Sequence, residues 1–185
     1  MTLGEGKRKV LMLLDEYSGG GAVTVDEDIN AKMNDFFDIA QKDVALWQPI
    51  VRRAAVTLDG SGSTPLPEDV SRVLGIRKQG KRTAAYEVIG GAIRSEPGDT
   101  ATLSLDYTAL PRTITPETGD DYVFEVSGEG ANCLPFFVAA QQLLPDLVLD
   151  YGAFYNVYLQ MRGLLSRTAA AGNSGGSVRQ ALYRG

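Results

Sequence analysis

The chain has 185 residues, 44% of them hydrophobic, with 18 basic against 23 acidic side chains for a formal charge of −5, one cysteine and no histidine. This suffices for one ordinary domain, or one domain with a small second lobe, around a real core; the mild acidity argues against bulk coating of nucleic acid. The absence of histidine removes the usual general base, the catalytic triads and most zinc chemistry, and a lone Cys133 cannot form an intramolecular disulfide and reads as a small buried hydrophobe in a reducing compartment.

The apolar run from Val10 to Leu14 is too short for a signal-peptide core or a membrane span, so no targeting segment is expected. Val10, Leu11, Leu13 and Leu14 predict a short helix over residues 9–17, stopped by Ser18 and the glycines at 19–21. Thr24, three residues before Glu27, opens a second helix in the capping-box arrangement, with Asp26, Glu27 and Asp28 in the turn where the helix dipole favours negative charge. Ile29, Met33, Phe36, Phe37, Ala40, Val44 and Trp47 supply its apolar face, and Pro49 ends it. The acids at 26–28 lack calcium-loop spacing and read as a solvated first turn.

From Pro49 the period changes. Ile50 to Leu58 reads as a strand running into the turn Asp59-Gly60-Ser61-Gly62-Ser63, and Val70 to Ile76 as a helical turn followed by a strand. Ile76–Lys78 and Thr83–Val88 flank Gln79-Gly80, a hairpin tip carrying Arg77, Lys78, Lys81 and Arg82. Leu103, Leu105 and Tyr107 alternate with Thr102, Ser104 and Asp106 in a half-buried strand, and Tyr122 to Val126 alternates weakly before Gly128 and Gly130 return the chain to helix.

The last two helices are expected at 133–144 and 147–171, separated by Leu144-Pro145-Asp146, with Pro135 near the start of the first. Tyr151, Phe154, Tyr155 and Tyr158 form an aromatic seam on the second, suited to burial at a boundary while keeping a polar handle. Residues 172–177 have the composition of a flexible tether, followed by Val178, Arg179, Leu182, Tyr183 and Arg184, which are enough to anchor in a partner's groove or to end as an ordinary frayed terminus.

The sequence therefore predicts an α+β fold: a mostly helical bundle with a small inserted antiparallel β-rich region and a flexible C-terminal tail. Its parts are expected at 1–48 for the N-terminal helices, 49–130 for the β-rich insertion, 131–171 for the closing helical pair and 172–185 for the tail. No glycine run has dinucleotide or P-loop spacing, and adjacent Asp120-Asp121 does not straddle a cleft as glycosidase carboxylates must. No enzyme activity, cofactor or metal is expected. Charge is distributed unevenly: residues 26–43 hold six acids against two lysines, and residues 117–129 hold five acids, Glu117, Asp120, Asp121, Glu125 and Glu129, with no base. Against Arg77, Lys78, Lys81 and Arg82 this is the pattern of copies interlocking basic hairpin to acidic patch, or of an ordinary solvated hairpin.

The runs Leu66-Pro67-Glu68-Asp69, Ile76-Arg77-Lys78-Gln79-Gly80-Lys81-Arg82, Tyr86 to Gly91, Leu105 to Pro111, Leu134 to Ala140 and Phe154 to Tyr158 resemble the head-tail adaptor (connector) proteins of tailed bacteriophages, over roughly Val25 to Arg167. The resemblance implies a helical bundle with a β insertion, assembled as a homo-oligomeric ring, commonly of twelve copies, beneath the portal protein. Such a ring extends the DNA channel, passes double-stranded DNA without reading its sequence, and docks a tail or second neck protein. It further implies location at the head-tail junction of the virion, assembly in the bacterial host cytoplasm without a membrane, and a C-terminal segment, here Gly172 to Gly185, reaching the portal. The glycine-rich break at 18–22 has no place in the resemblance. The alternative class is a soluble oligomeric binding or assembly-chaperone module.

Overall fold

The computed structural model describes residues 1–18, 27–143 and 152–165. The chain divides into two compact units: Met1–Gln48 with Arg112–Gly185, and Pro49–Pro111 between them in sequence.

Unit one is helical. Its helices are α1 (Leu3–Ser18), α2 (Glu27–Trp47), α3 (Gly128–Leu143) and α4 over 152–165. The helix α1 begins well before Lys9 because Thr2 and Glu5 close a capping box: the Glu5 amide donates to Thr2 Oγ1 at 3.2 Å and the Thr2 amide to Glu5 Oε2 at 2.8 Å. Two early glycines, which lower helix propensity, mark close packing here. A Cβ on Gly6 would stand 2.9 Å from the Phe37 ring, and one on Gly4 equally close to Asp120. The α2 core face is Met33, Phe37, Ala40 and Val44, all fully buried, at the expected helical spacing. Trp47, expected on that face, is 41% exposed. Ser127 caps α3 through Oγ, which accepts from the Gly130 amide at 3.1 Å, so the helix starts five residues ahead of Cys133 and Pro135 falls inside it. Leu134, Val138, Ala139 and Ala140 are buried, and α3 packs against both α1 and α2. Gly130 lets α2 come close: a Cβ there would lie 2.9 Å from Val44 Cγ1.

An irregular strap, residues 112–127, completes this unit. Along it Ile114, Tyr122, Phe124 and Val126 are buried while Val123 is 58% exposed, so the alternation seen in the sequence is real, but it forms a single bridge, Thr2 to Val123, and no extended strand. A row of polar side chains on α2 holds the strap. Asn34 Nδ2 donates to the carbonyls of Thr115 at 2.9 Å and Pro116 at 3.2 Å, and Asp38 Oδ1 accepts from the Ile114 amide at 2.9 Å. The Gln41 side chain, fully buried, accepts from the Glu125 amide at 2.9 Å and donates to the Tyr122 hydroxyl at 3.0 Å. Residues 34, 38 and 41 follow helical spacing, and one turn-pair further Gln48 Oε1 accepts from Ser127 Oγ.

Unit two is built of two antiparallel sheets. Its strands are β1 (Ile50–Thr57), β2 (Ser63–Pro65), β3 (Val70–Lys78), β4 (Lys81–Arg82), β5 (Glu87–Ile89), β6 (Ala92–Arg94) and β7 (Thr102–Ala109). One sheet has the order β1-β7-β3-β4 and the other β2-β6-β5. The central strand β7 pairs with β1 along its whole length, Ile50 opposite Ala109 through Thr57 opposite Thr102, and with β3 across two register shifts. Leu103, Leu105, Tyr107 and Ala109 point to a core shared with Val56, Leu58, Ile76 and Ile93. Val70 begins β3 directly, without the helical turn expected there. Gln79 and Gly80, both at positive φ (51° and 78°), form the two-residue hairpin tip between β3 and β4.

The expected fold class is therefore corrected. The molecule is a mixed α/β protein with sheets of four and three strands and four helices among the described residues, not a mostly helical bundle carrying a small β region. The second sheet escapes periodicity because its strands are three residues long, too short to display a period of two.

Replacing Gln41 with Leu leaves the Glu125 amide without its partner in a dry site and the Tyr122 hydroxyl with the Arg112 carbonyl alone, at 3.2 Å. The Gln41→Leu variant is expected to lose about 2–4 kcal/mol in urea unfolding, against less than about 0.5 kcal/mol for Leu46→Ala on the exposed side of α2.

Candidate functional site

The basic residues expected at the hairpin do not act as one patch. Arg77 lies on the outward side of β3 and, with Arg53 on β1, clamps Asp106 on β7: Arg53 Nε is 2.5 Å from Asp106 Oδ1 and Arg77 Nε is 2.8 Å from Oδ2. The register puts Arg53 directly opposite Asp106. These two charge-assisted bonds hold the Asp106 carboxyl at about 2, below its ordinary 3.8. Lys78 turns away to the Tyr86 hydroxyl at 2.8 Å, which in turn donates to Asp99 at 2.8 Å; the hydrogen bond to Tyr86 raises the Lys78 pKa above its usual value. Lys81 is exposed near the tip, and Arg82 folds back to donate to the Leu74 carbonyl at 2.7 Å. A shallow hollow of about 330 Å³ results, lined by Val51, Arg53, Leu74, Gly75, Arg77, Arg82 and Asp106.

The acids expected to form a complementary patch divide between internal and outward duties. Asp120 pairs with Lys7 at 2.9 Å, and Glu125 Oε2 accepts the Arg112 amide at 2.8 Å. Glu117 and Asp121 are exposed, and a hydrogen bond from Thr115 keeps the Glu117 carboxyl below its ordinary range. The Thr115 amide donates to Thr118 Oγ1 at 2.8 Å and the Thr118 amide to the Thr115 carbonyl at 3.0 Å, so this acidic stretch is a tight, built turn.

Of the aromatic seam, Tyr158 is fully buried and Phe154 and Tyr155 are half-buried, while Tyr151 lies outside the described residues. The Tyr158 ring meets Phe137 at 5.2 Å and Tyr155 at 6.1 Å, and its hydroxyl donates to Asp43. Arg162 binds the same carboxylate at 2.7 Å and stacks on Trp47 at 4.8 Å. Burial pushes the Tyr158 phenol well above its ordinary range, which keeps it a hydrogen-bond donor. Tyr158 thus ties α4 to α2 and α3 within the helical unit. Val178, Arg179, Leu182, Tyr183 and Arg184 lie outside the described residues, as do Thr24 and the glycines at 19–21.

A feature the sequence reading missed is an apolar hollow of about 470 Å³ over α3, lined by Met12 and Leu13 of α1, Pro135 and Phe136 of α3 and Met161 of α4, with Lys9 and Asn132 at its polar edge. Its signal in the sequence was Met12, off the core period of α1. Methionines are adaptable lining residues, so the hollow has the chemistry of a contact surface. Cys133 is buried beside it, its Sγ 3.4 Å from the Glu129 carbonyl, and desolvation pushes the thiol up to about 11. Among the described residues, no group of three or more His, Cys, Asp or Glu side chains converges as metal ligands would, and no helix is long and apolar enough to cross a membrane. No protein-family model matches the chain, and no curated protein matches it either.

Two outcomes follow from the ionisation states. Asp106 has a depressed folded-state pKa, so its contribution to stability is fully present above its unfolded value near 3.8 and disappears as pH falls through about 2. Melting temperatures of the wild-type chain and Asp106→Asn should therefore differ most above about pH 4 and converge toward pH 2. Cys133 should resist iodoacetamide at pH 8 in the folded chain and react readily in denaturant, as read by mass.

Proposed function

We propose that this chain is a non-catalytic assembly subunit: in general terms an oligomeric binding module, and specifically a head-tail adaptor of a tailed phage that forms a ring under a portal protein. The reading rests first on the division of the chain. A helical unit made from both ends of the sequence carries a β unit inserted at Pro49–Pro111, and each bears a hollow of contact chemistry, methionine-rich on one and arginine-rich on the other. That pair of surfaces is the observation that carries the general reading, because such hollows suit protein partners.

The carboxylates with displaced ionisation point the same way. Glu5, Asp59, Asp99, Asp106 and Glu117 are all shifted downward by hydrogen bonds or arginines, the state of structural anions and not of a general acid poised near neutrality. The specific reading takes its support from the resemblance carried by Leu66–Asp69, Ile76–Arg82 and Leu105–Pro111. In it DNA passes through the ring without sequence-specific contact, the ring docks a tail or neck protein below, and the segment 172–185 reaches the portal above.

Native mass measurement of the purified chain, alone and mixed with portal rings, tests both levels. A closed homo-oligomer alone supports the general reading, and a stoichiometric ring on the portal that is lost on deleting residues 172–185 supports the specific one. A chain that stays monomeric in both conditions contradicts both. An oligomer that ignores the portal contradicts the adaptor reading only.

A further inference from the structure

We propose that the arginine-lined hollow on the outer face of the four-stranded sheet is the docking site for the acidic turn at 117–121 of a second copy of this chain. The proposal rests on the assembly reading above and gives that assembly its subunit contact.

The hollow is charged in a particular way. Arg53, Arg77 and Arg82 surround a single carboxylate, Asp106, so three guanidinium groups face one anion and the site carries two positive charges in excess. Asp106 spends both its oxygens on Arg53 and Arg77, which fixes these side chains in place while each guanidinium retains N–H donors beyond its single Nε bond. Arg82 is held against the Leu74 carbonyl by one amino group. The donors are thus pre-positioned before any partner arrives, which lowers the ordering cost of binding. Gly75 forms the floor beneath Arg82: a Cβ there would approach Arg82 Nε to 3.3 Å.

The rim identifies the class of partner. Val51 is 66% exposed and Leu74 is 40% exposed, and both line the hollow. Arginine framed by exposed aliphatic side chains is the composition of a protein interface. A nucleic-acid backbone would gain nothing from Val51 and Leu74, and its row of phosphates would meet the Asp106 carboxylate in the middle of the site. A short peptide turn bearing carboxylates fits better, since carboxylate matches the arginine fork.

The chain itself carries such a turn. Glu117 and Asp121 are exposed on either side of Thr118 and Gly119, and the turn is shaped by Thr115 and Thr118 and anchored to α2 by Asn34, so it arrives pre-formed. Asp120, engaged by Lys7, is left to the subunit's own fold. Two acidic side chains on the turn equal the two surplus charges of the hollow. Because hollow and turn are different patches, the contact is heterologous: each copy offers one and receives the other, which propagates into a closed ring when the rotation closes.

Mixing two single-substitution proteins tests this directly. Val51→Cys places a thiol on the rim of the hollow and Pro116→Cys places one beside the turn, while the native Cys133 is buried. Under mild oxidation the mixture is expected to give a disulfide-linked dimer on non-reducing gels at least tenfold above either protein alone. Adding Arg82→Glu to the Val51→Cys protein cancels the two surplus charges of the hollow and should reduce that dimer at least fivefold, and adding Glu117→Arg and Asp121→Arg to the Pro116→Cys protein, opposite an unaltered hollow, should reduce it at least as much. Circular dichroism and the melting curve of each variant establish that it is folded. Several results overturn the proposal. If the wild-type chain is multimeric by native mass but the mixture gives no dimer, the surface is wrong and the assembly reading stands; if the chain is also monomeric at the same concentration, both fall. Dimer yield indifferent to the charge reversals overturns it as well. So does an absent dimer combined with binding of a 30-base-pair duplex that Arg82→Glu abolishes, which would make the hollow a nucleic-acid face.

Discussion

The helical unit depends on one row of polar side chains, two of them fully buried and one half-buried, along a side of α2 where a helix ordinarily places apolar ones. Asn34, Asp38 and Gln41 rise along one side of α2 and bind the backbone of the strap at Thr115, Ile114 and Glu125. An irregular segment lying against a core has carbonyl and amide groups that neither sheet nor helix can satisfy, and leaving one dry and unpaired costs about 1–3 kcal/mol. The α2 row meets that demand with side chains spaced so that one rigid helix serves many residues of strap. The strap in turn receives the N-terminus, where the Leu3 amide donates to the Tyr122 carbonyl at 2.8 Å and the Gly4 amide to Asp120 at 2.9 Å. Helix α1 therefore starts from a fixed point, and Gly6 can pass beneath the Phe37 ring.

The same restraint shapes what the unit presents outward. With Asn34 holding the Thr115 and Pro116 carbonyls, the turn that follows is locked, and Glu117 and Asp121 become fixed charges and not a mobile acidic loop. In the β unit a parallel economy operates around Asp106, which orders two arginines from neighbouring strands. Each unit thus builds its surface around a polar centre that makes several hydrogen bonds within the fold, and in the assembly reading proposed here those surfaces engage copies of the chain and the portal.

Much of this was legible in the sequence, for physical reasons that differ by element. The α2 core face and the alternation in β7 are long enough for their periods to be unambiguous, and Gln79-Gly80 reads as a tip because the two-residue turn needs positive φ. The start of α1 was hidden because Gly4 and Gly6 count as breakers until the Phe37 ring and Asp120 are seen against them. Strands β2, β5 and β6 carry three residues each, so the extent of sheet was underestimated. Residues Asn34, Asp38 and Gln41 look like the solvated side of an amphipathic helix, because nothing in a sequence distinguishes a polar side chain facing water from one facing an unpaired backbone. Charge counting had the same blindness: Asp38, Asp43, Asp69, Asp99, Asp106, Asp120 and Glu125 are all engaged within the fold.

Hydrogen exchange on the free and the assembled chain, followed at individual amides, addresses most directly the claim that a strap locked by α2 presents a rigid turn to another copy. The Ile114 and Glu125 amides should be strongly protected in both states, and residues 74–82 and 117–121 should gain protection only on assembly. Ile114 and Glu125 exchanging at solvent rates in the folded free chain, or assembly that leaves both 74–82 and 117–121 unchanged, would contradict the account.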